Sequence, residues 1–124
     1  MAQEEKQLLL VDLCARLPYG VHLFTNSKHH IRLLTISRDL EYDGQYWING
    51  LYDIDEVKPY LRPMSSMTEE EKKEYNKVMF QSERYENDYA ADIDWLNKYH
   101  FDYRGLIEIG LAIAVTEENN PYKE

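Results

Sequence analysis

Leu9, Leu10, Leu13, Cys14 and Leu17 gather on one arc of a helical wheel, with Asp12 and Arg16 towards the other side, so an amphipathic helix is expected from about Gln3 to Leu17. Pro18-Tyr19-Gly20 ends it. Val21 to Thr25 and Ile31 to Arg38 are rich in branched and aromatic residues and are separated by Asn26-Ser27-Lys28, which reads as an antiparallel hairpin. Asp43-Gly44 between Leu40-Glu41-Tyr42 and Gln45-Tyr46-Trp47-Ile48 is the strongest local turn signal, because that dipeptide tolerates the positive φ angles of a type I′ turn. Asn49-Gly50 repeats this chemistry as a second tight turn or a bulge.

The later segments change character. Apolar residues in Asp53 to Leu61 have a three-four spacing, but Pro59 and Pro63 restrict the segment to a short helical turn leading out of the sheet. Thr68-Glu69-Glu70-Glu71 is a capping box, and a surface helix should follow from Glu69 to about Arg84, with Tyr75, Val78 and Met79 on one side and Phe80 nearby. A third main helix is expected from about Asp88 to Tyr99. Tyr89, Ile93, Leu96 and His100 share one stripe and Trp95 and Tyr99 form a second, together spanning roughly 160° of the wheel. Asp102 can cap a further helix containing Leu106, Ile107 and Leu111, with Gly110 near its end. The fold class is therefore α+β: a single domain over residues 1–115, with an antiparallel meander of about three or four strands, an N-terminal helix and about three C-terminal helices. Residues 116–124 form a polar tail expected to fray.

The 124 residues are enough to bury a core without disulfides or metals, and the single cysteine, Cys14, fits a reducing, cytoplasmic setting. Leu8-Leu9-Leu10-Val11 is too short and too flanked by acid to be a signal or a membrane span. The net charge of -9 disfavours general binding to nucleic acid or anionic membranes. Residues 1–62 carry nine acids and seven bases and residues 63–124 fourteen and seven, so the second half holds most of that charge. Arg16, Lys28, Arg32 and Arg38, with three histidines and no acid, form a local basic exception. Lys28, Arg32 and Arg38 are thus a secondary candidate surface, although the same bases can neutralise the domain's own acidic helices.

Reaction chemistry is thinly represented. His29 and His30 are adjacent and point to opposite faces of a strand, so with His22 they make a poor metal site, and no metal or other cofactor is expected. Asp53/Asp55 and Asp92/Asp94 lack the glycine and terminal glutamate of a calcium loop. Ser65-Ser66 has no glycine elbow, Cys14 lies on the arc expected to be buried, and no glycine-rich phosphate loop is present.

The densest cluster is Trp95, Tyr99, His100, Phe101, Tyr103 and Arg104, in a chain with 11 tyrosines. Aromatic residues with arginine are the composition of interface hot spots, so Trp95, Tyr99, Tyr103 and Arg104 are the candidate partner-binding residues. In the competing reading Trp95 and Phe101 are core, His100 is a satisfied helix-end histidine and Arg104 pairs with Asp102 or Asp94. The expected partner is a protein, and the wide aromatic edge could also pair with itself across a two-fold axis. Two other functions stay open: the acidic helices from Glu69 to Asp94 as a nucleic-acid mimic inhibiting a host enzyme, and a small enzyme using His100 and Asp102 as acid and base.

The stretches from Leu51 to Thr68 and from Asp94 to Ile107, with Leu17-Pro18-Tyr19-Gly20-Val21, resemble signature segments of a family of small uncharacterised proteins found in gut bacteria and their phages or prophages. That family has no assigned reaction, so the resemblance supplies no catalytic residues. It implies an accessory or interaction role.

Overall fold

The computed structural model describes residues 2–25, 30–39, 41, 45–84 and 91–122. The architecture is α+β in one small domain. Helix α1 (Gln3–Arg16) is followed by a 3-10 turn (Leu17–Tyr19), then β1 (His22–Thr25), β2 (His30–Arg32), β3 (Ile36–Asp39), β4 (Gln45–Ile48), β5 (Tyr52–Asp53), β6 (Val57–Leu61), α2 (Glu69–Arg84), α3 (Ala91–Lys98) and β7 (Ile113–Ala114). The strands form two sheets, one in the order β2-β1-β6-β7 and the other a β3-β4-β5 meander.

The hydrophobic pattern of α1 is realised, but its buried arc is rotated. Leu9 and Leu13 are fully buried and Leu10 nearly so, and the arc continues through Asp12 and Arg16, both 0% exposed, rather than through Cys14. On a 100°-per-residue wheel Asp12 and Arg16 adjoin Leu9 on the side away from Cys14. Admitting those two polar groups to the core therefore turns Cys14 outwards, where it is exposed. The expectations of a solvated Asp12 and Arg16 and a buried Cys14 are both corrected by this single rotation.

The stretch read as one strand from Ile31 to Arg38 is two strands in different sheets. β2 pairs antiparallel with β1 through Phe24 and His30, whereas β3 pairs with β4 from Ile36↔Ile48 to Asp39↔Gln45. Between them Leu33 is buried and Leu34 is 64% exposed, as the chain crosses from one sheet to the next. The Asn26-Ser27-Lys28 and Asp43-Gly44 turns lie outside the described residues, although the strands they join pair as the hairpins require. Asn49-Gly50 is a tight turn: φ is +55° and +71° at the two residues, and the Leu51 N–H donates to the Ile48 carbonyl at 3.1 Å.

Asn49 also ties the turn to the crossing segment. Its Oδ1 accepts the N–H groups of Leu34 and Thr35, and its Nδ2 donates to the Arg32 carbonyl. Asn49→Ala removes all three bonds and places a Cβ without local hydrogen bonding in the left-handed region. It is expected to cost about 1–2 kcal/mol in urea denaturation, and Asn49→Asp, which retains the acceptor, less than that.

Val57 to Leu61 is a strand, not the exit from the sheet. It lies between β1 and β7, and only Ile54–Glu56 before it is helical, as a 3-10 turn capped by Asp53. Pro59 is tolerated because β6 needs two partners only further along: Pro59 faces Leu23 of β1, while β7 joins in parallel at Tyr60 and Leu61. The chain then continues beside Phe101, with the Arg62 N–H donating to the His100 carbonyl and the Asp102 N–H to the Arg62 carbonyl.

The capping box at α2 forms as expected. The Thr68 N–H donates to Glu71 at 2.9 Å and the Glu71 N–H to the Thr68 hydroxyl at 3.1 Å. α2 lies on the surface, with Phe80 60% exposed. Tyr89 and the first residues proposed for α3 fall outside the described residues, and the helix runs from Ala91. The helix expected after Asp102 is instead a series of turns through 106–110. Asp102 still caps this segment, its two oxygens accepting the N–H groups of Leu106 and Ile107.

Two apolar clusters result. The larger joins Leu9 and Leu13 to Val21, Leu23, Ile48, Val57, Leu61 and Leu106, and the smaller is Met67, Trp95, Leu96 and Phe101. Residues 116–122 lie against the domain. Tyr122 packs against the larger cluster, and its hydroxyl accepts the His22 N–H and donates to the Tyr60 carbonyl.

Candidate functional site

The corner from α3 to residue 107 is organised around Trp95 and Phe101. Trp95 is 7% exposed, its ring stacks on Phe101 at 5.7 Å and 7°, and its Nε1–H donates to Glu74 on α2. Tyr75 and Tyr99 flank the indole at 5.3 and 4.8 Å. The Arg62 guanidinium lies 4.2 Å from the centre of the Phe101 ring and binds both oxygens of Glu71 at 2.7 Å. This double hydrogen bond holds the Glu71 carboxyl well below its usual range, at about 2. Trp95 is therefore part of the packing between α2 and α3.

Tyr99, Tyr103 and Arg104 are half-buried. Tyr103 donates its hydroxyl to the buried Asn97, and two guanidiniums, Arg104 at 4.5 Å and Arg16 at 5.3 Å, lie over its ring. Arg104 pairs with neither Asp102 nor Asp94. Its Nη1 is 2.7 Å from Asp12 Oδ1, while Arg16 Nε donates to Asp12 Oδ2 at 2.8 Å and Arg16 Nη2 to the Phe101 carbonyl at 2.6 Å. One buried carboxylate thus holds two arginines and fastens the first helix to the corner. Sequence reading missed Asp12 and Arg16 as members of this cluster. The available signal was their position next to Leu9 and Leu13 on the same side of the wheel.

His100 has φ +65°, and its ring lies flat on Tyr122 at 3.8 Å and 9°. Burial, then the positive neighbours Arg16, His22 and Arg62, lower its pKa to about 4. His22 meets the edge of the Tyr122 ring at 5.1 Å, and burial followed by His30 and Arg32 lowers its pKa as well. Burial pushes the Tyr122 phenol up. Tyr122 was the other omission, and an isolated aromatic after Pro121 in a polar tail is the only local sign of it.

The secondary basic residues are spread apart. Arg32 on β2 reaches over Gly20, where an added Cβ would come within 2.6 Å of its guanidinium, while Arg38 on β3 lies over the Tyr46 ring in the other sheet. Lys28 lies outside the described residues. Among the described residues no group of three or more His, Cys, Asp or Glu is arranged to hold a metal ion, and no helix is long and apolar enough to cross a membrane. Comparison with protein-family models, curated proteins and solved structures gave no match.

Proposed function

We infer that this chain is a non-enzymatic, cytoplasmic protein-interaction module whose contact surface is the outer rim of the corner, Tyr99, Tyr103 and Arg104. The observation that carries this reading is the fixing of Tyr103: half-buried, anchored by Asn97 and covered by Arg104, it offers a rigid aromatic-arginine surface that loses little side-chain entropy on binding. Trp95 supports that rim from beneath.

The groups needed for acid-base chemistry are otherwise engaged. Both Asp102 oxygens accept backbone N–H groups, and His100 is stacked on Tyr122, which favours a structural reading of the two over an acid-base pair. Mimicry of nucleic acid is the second reading: residues 69–94 carry nine acids and four bases, although α2 itself carries five and four and is not an acidic rod. The resemblance to small proteins of gut bacterial and phage genomes fits an accessory role.

The test is quantitative affinity capture from the native host, comparing the parent chain with a Tyr99→Ala, Arg104→Met variant whose melting is monitored. Loss of the hot spot should reduce recovery of the specific partner by at least tenfold. A second copy of the chain would appear as a concentration-dependent dimer in sedimentation. Equal recovery by the folded double variant would place the contact elsewhere, and capture abolished by moderate salt would favour mimicry.

A further inference from the structure

The four-stranded sheet has an outer face unlike its core face. Register places His22 opposite Arg32, and Phe24 opposite both His30 and Lys58, while Leu23 pairs with Ile31 and Pro59 on the face turned to the core. Side chains alternate along a strand, so Tyr60, two residues after Lys58, joins the outer set. The rings of His30 and Tyr60 meet at 88° with their centres 6.3 Å apart and form an aromatic corner; Phe24 stands edge-on to Tyr60 at the same separation.

Residues 116–122 arch across this face and are held at both ends. Thr116 and Asn119 bind each other through N–H, hydroxyl and amide groups, Asn119 Nδ2 donates to the Ala114 carbonyl, and Tyr122 is anchored to His22 and Tyr60. Beneath the arch is a cavity of about 270 Å³ lined by His30, Tyr60, Glu118, Asn119, Asn120 and Pro121. It is slightly smaller than the ~300–1,000 Å³ of ordinary ligand sites, a size for one ring rather than a larger molecule.

Asn119 spends its amide on holding the arch, but two other polar groups of the lining remain available. Asn120 uses its Oδ1 for the Tyr122 N–H and keeps its amide NH2, and among the described residues nothing pairs with the Glu118 carboxylate. An anion would meet Glu118 in the cavity, and Lys58 and Arg32, which project from the same face of the sheet outside the cavity, disfavour an organic cation. A neutral ring with an apolar C–H surface and a rim of hydroxyls suits the groups left free: the surface rests on the exposed His30 ring, which the buried Tyr60 backs, while hydroxyls donate to Glu118 and accept from the Asn120 amide.

We propose that this cavity is a binding site for one neutral saccharide residue. The shared chemistry covers a free monosaccharide and the terminal residue of a glycan. The site uses none of the residues of the interaction rim, so failure of either idea leaves the other standing.

The experiment is an amide NMR titration of the full chain with glucose, galactose, mannose and N-acetylglucosamine, with choline chloride and sodium acetate as charged controls. At least one sugar should give saturable millimolar shifts centred on His30, Tyr60 and 118–121. Glu118→Gln, at an exposed position, should weaken it about tenfold while leaving the melting temperature unchanged, and His30→Ala, which also gives up its ring contact with Tyr60, should weaken it about tenfold while staying folded at the titration temperature. A longer oligosaccharide ending in the same sugar binds tighter if the natural source is a glycan and no tighter if it is the free sugar. The proposal is overturned if no sugar saturates, if choline or acetate gives the same shifts in place of a sugar, or if both variants bind as the parent does.

Discussion

Asp12→Asn is expected to lower stability by about 3–5 kcal/mol, because it removes the one charge that, among the described residues, balances a fully buried guanidinium. Arg16 is 0% exposed and its other bond runs to the Phe101 carbonyl, so the positive charge cannot reach water without moving α1 away from the corner. Arg104, 21% exposed, loses a partner too but can turn outwards. Urea denaturation at neutral pH measures the loss. Asp12→Leu with Arg16→Met removes both charges together and should recover most of it, since replacing a buried ion pair by apolar groups of similar volume is often neutral. A single Asp12→Asn variant within ~1 kcal/mol of the parent would mean that Arg16 is hydrated in solution.

Acidification is expected to destabilise the protein in two stages. The folded-state pKa of His100, about 4, lies below its ordinary 6.5, so between these values the unfolded chain binds the proton more readily and stability falls as pH is lowered. The shift corresponds to at most ~3 kcal/mol, present above pH 6.5 and lost by about pH 4. His22 acts in the same direction. Glu71, whose carboxyl is lowered from 4.5 to about 2, supplies the second stage as pH falls through that window. His100→Phe keeps an aromatic ring on Tyr122 but cannot titrate, so its melting temperature should change much less than the parent's between pH 6.5 and pH 4. An unchanged acid slope in that variant would assign the first stage to another group.

Features written in neighbouring residues were legible in the sequence. The amphipathic α1, the Thr68 capping box, the Asn49-Gly50 turn and the α+β class all depend on contacts within a few positions. What was illegible depends on distant partners. Pro59 reads as a breaker until β7 is seen to join only at Tyr60, and Asp102 reads as a helix cap although the residues after it form turns. In the candidate site, the aromatic content of 95–104 was visible, but not which rings are covered. That is settled by α2 lying against Trp95, by Asp12 reaching Arg104 and by Tyr122 folding back onto His100. The polar residues of α1 misled for the same reason: an i,i+4 Asp-Arg pair looks like a solvated pair until a third charge arrives from far along the chain.

The bonds that close the domain join residues 85 to 100 positions apart: Arg16 to Phe101, Asp12 to Arg104 and His22 to Tyr122. β6, the strand between the first hairpin and β7, likewise meets its neighbours from both directions along the chain. Early helix formation in α1 is therefore not enough to commit the molecule to its fold, because Asp12 and Arg16 stay hydrated until the residues around 101–104 reach them. Folding should be slow for a domain of this size, with a rate governed by the closure of these long loops.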